Sequence, residues 1–114
     1  MVIQRGEIWW ADFVEPLGSE PGYQRPALIL QADSFNQSRL STVILAPLSR
    51  TLALAAAPGN VLCRPRDSGL KHPSVVNVSQ VTVVDRSRLV ERAGSLSGRL
   101  MAQVDDGVRL VLAL

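Results

Sequence analysis

Apolar residues in this chain fall in short runs, punctuated by Gly, Pro, Asn and Asp, and their spacing changes once, near the C-terminus. Gly6–Phe13 (GEIWWADF) alternates in part and carries adjacent Trp9 and Trp10, so a first strand is predicted there. Successive strand residues face opposite sides, which sends one indole to the core and frees the other to reach a ligand. Pro26–Gln31 (PALILQ) predicts a second strand, with proline at its start, where a missing N–H costs least. Between them, Glu15–Gln24 is a loop in which Pro21-Gly22 suits the centre of a type II turn. Asp33–Arg39 reads as a helical turn or loop, and Thr42–Leu48 as strand three, with Pro47 demanding an edge or a bulge.

Ser49–Gly59 is a second loop, Asn60–Arg64 a short strand, and Pro65–Pro73 a basic, turn-rich connection. Ser74–Asp85 (SVVNVSQVTVVD) is rich in β-branched residues and predicts one bent strand or two consecutive ones, followed by a brief strand or turn through Leu89–Val90. In Leu96–Leu114 the period changes: positions 96, 100, 101, 104, 108, 111 and 112 recur at helical spacing. Ser95 or Ser97 can cap the start of this helix, and Gly107 inside it marks close packing, because glycine there costs about 1 kcal/mol relative to alanine. The pattern predicts a mainly β chain with a C-terminal α-helix, forming one small bent barrel over residues 1–114.

Composition narrows the function classes. With 46% hydrophobic and 19% charged residues the chain is neither a disordered tail nor a coiled coil. No apolar run approaches the roughly 18 residues of a membrane span, no secretion signal opens the sequence, and Cys63 is the only cysteine; a cytoplasmic protein is expected. Eleven of the twelve basic residues are Arg, with Lys71 the exception, and Arg presents a planar fork that matches phosphate and stacks on bases. A net charge of only +2 argues against simple electrostatic coating of a nucleic acid. No His, Cys, Asp and Glu arrangement shows metal-ligand spacing, and no cofactor is expected.

The stretch Gly18–Leu30 (GSEPGYQRPALIL) concentrates the chemistry. Glu20 and Arg25 flank a glycine-containing turn, and Arg25 stands immediately before an apolar strand. Two readings fit the residues alone: an ion pair within the loop, or a loop presenting donors to an anion. His72 fits a solvated basic turn, and with Arg64, Arg66 and Lys71 it offers a path for a polyanion. Cys63, between apolar and basic residues in a short strand, reads as packed rather than reactive.

The series RGEIWWADF, GSEPGYQRPALILQAD, TVILAPLS and SVVNVSQVTVVDRSRL, closed by a helix, resembles the MazF/PemK family of toxins over roughly residues 4 to 112. Its most specific element is Gly18-Ser19-Glu20 followed after four residues by Arg25-Pro26. The resemblance implies an SH3-like barrel of the CcdB/MazF plasmid-toxin type. It also implies a homodimer, a single-stranded RNA substrate, and metal-free cleavage that leaves a 2′,3′-cyclic phosphate and a 5′-hydroxyl. A cognate MazE-like antitoxin is the implied protein partner, and no membrane is involved. On this likeness the catalytic residues fall on Arg25, Ser49 and Glu20. The RNA path is expected along Gly18, Ser19, Tyr23, Gln24, Arg50 and Gln80, extended by Arg64, Arg66 and Lys71. This chain has serine where many relatives carry threonine, and Pro21-Gly22-Tyr23-Gln24 where many have Gln-Gly-Gly, which stiffens the loop and adds an aromatic ring. The alternatives are a gyrase-poisoning toxin of the same fold, disfavoured by a chain ending Leu112-Ala113-Leu114 rather than in aromatics, and an RNA-binding module without catalysis.

Overall fold

The computed structural model describes residues 2–13 and 23–114. Among them seven strands form one strongly bent sheet in the order β4-β5-β3-β2-β1-β7, with β6 also paired to β3. The strands are β1 (Glu7–Phe13), β2 (Tyr23–Ile29), β3 (Thr42–Ser49), β4 (Val61–Cys63), β5 (Ser74–Val76), β6 (Thr82–Asp85) and β7 (Leu89–Ser95). Three α-helical segments join or follow them: α1 (Asp33–Asn36), α2 (Pro65–Ser68) and α3 (Gly98–Leu112).

The central strands are buried on both faces, and the period of two assigns each face its own core. Ile8, Leu28, Ala46 and Leu48 point into a cluster closed by Leu100, Met101 and Val104 of α3. The alternate positions Trp9, Ala11, Ala27, Ile29, Val43 and Leu45 build a second cluster with Ile3, Val84 and Leu89. Each buried aliphatic side chain contributes about 1.5–3 kcal/mol. Ser97 caps α3 by accepting the Leu100 N–H at 3.3 Å. Gly107 does mark close packing, since a Cβ there would collide with the Gly59 carbonyl oxygen.

Three local outcomes differ from the sequence expectation. β2 starts at Tyr23, three residues before Pro26, because Tyr23–Arg25 pair with Ala11–Phe13 of β1. Pro26 is still tolerated, because the β2–β3 ladder begins only at Ala27 and β2 is paired on one side there. Pro47 lies in a central strand, at the point where β3 changes partners: Thr42–Leu45 pair with β6, Leu48 and Ser49 with β5. The missing N–H falls in the gap between the two ladders. The segment Ser74–Asp85 takes the second of its two expected forms, two consecutive strands, with a 3₁₀ turn, Val78–Gln80, between them. β7 is a full seven-residue strand rather than a brief one, and its register against β1 shifts twice, between Ile8 and Trp9 and between Trp10 and Ala11.

Candidate active-site groove

A groove of about 750 Å³ opens where β2 and β3 part company. The last pair of the ladder is Ala27 opposite Pro47, and Arg25 and Ser49 each lie two residues beyond it, on β2 and on β3. Both side chains line the groove, together with Gln24 and Pro26 of β2 and Leu48 and Arg50 beside Ser49. The facing wall comes from the segment after α2, with Lys71 and His72, and from β7, with Glu91 and Ala93. Trp10 of β1 is half-buried and completes the lining.

The hydroxyl of Ser49 is held by its own loop: its Oγ accepts the Thr51 N–H at 3.1 Å. That leaves the hydroxyl hydrogen available for donation into the groove. The wall opposite is fixed by a close approach between backbones. Gly69 ends α2 with φ 81°, and a Cβ at Gly69 or at Gly94 would strike the other segment's carbonyl, from Ala93 and Ser68 respectively. The Ser68 Oγ accepts the Leu70 N–H at 3.0 Å and Ser74 donates its hydroxyl to the His72 carbonyl at 3.2 Å, so both ends of this wall are tied.

Charge is distributed unevenly. The ion pairs among the described residues join Arg5 to Asp105, Arg64 to Asp67, Arg92 to Glu7 and Arg109 to Asp106. The groove cations Arg25, Arg50 and Lys71 are in none of them. Of the residues expected on the RNA path, Gln24, Arg50 and Lys71 line the groove. Arg64 and Arg66 do not: Arg64 turns to Asp67, whose carboxylate accepts both its N–H, at 2.9 Å, and its Nε, at 3.2 Å. These bonds hold the Asp67 carboxyl below its usual range. Gln80 is exposed at the end of the 3₁₀ turn, also outside the groove lining. Tyr23 stacks on Phe13, its direct cross-strand partner, with ring centroids 6.3 Å apart. Gly18, Ser19 and Glu20 lie outside the described residues.

Sequence reasoning passed over Trp10, Glu91 and Ala93 as groove residues. The tryptophan pair did signal that one indole would be free: Trp9 is 8% exposed in the core, with its Nε1 donating to Glu7 at 3.1 Å. Nothing in LVERAGS announced a groove wall, because it is set by a register shift.

The chain is thus a strongly bent β-sheet closed by a C-terminal helix, with Arg25 and Ser49 lining one groove. The chain belongs to the PemK-like, MazF-like toxin family of type II toxin–antitoxin systems, whose family model matches residues 4–112. It is 46% identical to endoribonuclease MazF6 of Mycobacterium tuberculosis, over the whole of both chains. It is 31% identical to endoribonuclease EndoA of Bacillus subtilis, covering 100% of this chain and 97% of that one. In fold it matches a MazE–MazF crystal structure from Deinococcus radiodurans with a TM-score of 0.83 at 23% identity, over 100% of this chain and 98% of that one.

Proposed function

We propose that this protein is an endoribonuclease toxin that cuts single-stranded RNA in the groove between Arg25 and Ser49, without a metal ion. The relatives named endoribonuclease, matched end to end, support the class of activity. The observation that supports the residue assignment is that Arg25 and Ser49, each two residues past the end of the β2–β3 ladder, line one groove whose cations are not in ion pairs with described residues. Attack by the 2′-hydroxyl builds negative charge on the non-bridging phosphate oxygens. A guanidinium fork can hold two such oxygens at once, and the Ser49 hydroxyl, oriented by Thr51, can donate to one. The 5′-oxygen leaves with a proton, giving a 2′,3′-cyclic phosphate and a 5′-hydroxyl end.

The protein partner in this reading is an antitoxin whose acidic or apolar tail occupies the same cationic groove and excludes RNA. The Deinococcus radiodurans complex named MazE–MazF supports a partner of this kind. The active unit is a homodimer. Ile44 and Val83, exposed cross-strand neighbours on β3 and β6, and Leu110 and Leu112 near the end of α3 offer apolar surface for it.

Incubating the purified protein with a long RNA and EDTA, then mapping 5′ ends, tests the reading. Cuts at a short recurring motif are expected. Arg25→Ala should lower the rate by about 10²–10³ or more while leaving thermal stability near wild type, since Arg25 is only half-buried and joins no ion pair with described residues. RNA left intact by the wild type, or cut at full rate by Arg25→Ala, would contradict it.

A further inference from the structure

We propose that the bulged part of β7 builds a nucleobase subsite in this groove. In it the Trp10 indole stacks an unpaired base, and the Glu91 carboxylate accepts hydrogen bonds from that base's amino group. The subsite therefore takes cytosine, adenine or guanine in preference to uracil. The inference rests on the groove being an RNA site, as proposed above, and adds how one position of the RNA is chosen.

The register of three strands places the residues together. Trp10 pairs with Pro26 on one side and with Glu91 on the other, so Glu91, Trp10 and Pro26 form one row across β7, β1 and β2, and all three line the groove. The row depends on a bulge. From Ile8 opposite Gly94, an uninterrupted ladder would set Trp10 against Arg92. The shift after Ile8 skips Ala93 and moves Glu91 into that place. The same shift puts Arg92 opposite Trp9, where it bonds the buried Glu7 carboxylate at 3.1 Å. One inserted residue thus exchanges an arginine for a glutamate on the groove side.

A carboxylate in a groove otherwise lined by Arg25, Arg50 and Lys71 works against phosphate attraction. It lies beyond ion-pair distance of all three, so it is not there to neutralise them. An ionised carboxylate only accepts hydrogen bonds, and phosphates offer it no donor. Amino groups on a base edge do: cytosine presents one, and guanine presents its amino group beside a ring N–H, matching both carboxylate oxygens. Uracil carries a carbonyl oxygen where cytosine carries its amino group, and its one ring N–H lies between two carbonyl oxygens that repel a carboxylate. The Trp10 indole, backed by the core cluster of Ile8 and Leu28, supplies the flat apolar platform on which splayed RNA bases stack.

The test titrates the full chain with two 2′-fluoro octamers that resist 2′-hydroxyl attack: uracil throughout, and the same with one central cytosine. Binding is followed by tryptophan fluorescence. The cytosine octamer should bind about tenfold or more tightly, with quenching that disappears in Trp10→Phe, which retains Trp9. Glu91→Gln, whose amide can face uracil or cytosine equally, should bring the two affinities within about twofold. Circular dichroism and thermal melts establish that both variants fold. Equal wild-type affinities, absent binding of both octamers, quenching retained by Trp10→Phe, or preference retained by Glu91→Gln would each overturn the subsite. Cleavage of long RNA alongside equal octamer binding would leave the nuclease reading standing without the subsite; cytosine preference without any cleavage would do the reverse.

Discussion

Cys63, at the end of β4, is fully enclosed, and burial pushes its thiol up to about 11, with the Asp67 carboxylate adding in the same direction. A thiol held in its neutral form is a poor nucleophile. Native protein at pH 8 should therefore resist a thiol-alkylating reagent and react fully once unfolded in urea, as read by mass spectrometry. The sign of the linked pH effect follows from the raised value. The folded state holds the proton more tightly than the unfolded chain, whose thiol titrates near 9.0. The stability this contributes is complete below pH 9 and lost as pH rises towards 11. Urea midpoints of wild type and Cys63→Ala should accordingly converge over that window. At this scale the sequence was informative wherever chemistry announced itself: an arginine before a strand, a serine at the end of another, a cysteine among apolar neighbours. Glu91 carried no such signal, because a lone glutamate in a polar stretch reads the same on either face.

Among the elements, those set by periodicity were readable and those set by partners were not. The closing helix follows from its 3.6-residue repeat and serine cap, and β1 and β3 from their apolar runs. The extension of β2 back to Tyr23 and the length of β7 arise from pairing with β1, which a local pattern does not record. Gly107 links the two kinds of knowledge. Replacing it with alanine gains about 1 kcal/mol in helix propensity. The new Cβ meets the Gly59 backbone, which cannot rotate away, and overpacking costs about 1–3 kcal/mol or more. Gly107→Ala should therefore be destabilising on balance, with a lower urea midpoint and an unchanged slope. Gly69→Ala adds a positive-φ strain to its collision with Ala93. Its expected effect is a weakened groove wall beside Lys71 and His72, measured as reduced RNA affinity as well as reduced stability.

Across the whole molecule, the near-balance of charge hides a local imbalance. A net charge of +2 predicts little for a polyanion, yet the ion pairs among the described residues consume arginines elsewhere and leave Arg25, Arg50 and Lys71 to the groove. Binding of a single strand through about three phosphate contacts should give a plot of log affinity against log salt with a slope near −2. A slope near zero would mean that the groove cations do not meet phosphates. The same long-range view bears on when the protein becomes dangerous to the cell that makes it. The wall carrying Glu91 pairs β1 with β7, joining Glu7 to Ser95, and the helix that seals the core follows at Gly98–Leu112. Such pairing between distant ends forms late, since the intervening chain must exist before it can close. On the ribosome, then, a growing chain can carry Arg25 and Ser49 for much of its synthesis while the far wall of the groove is still unmade. Competence waits for β7 and α3 to be made and to close on β1, which spares the translating machinery from a nuclease assembled at its own exit.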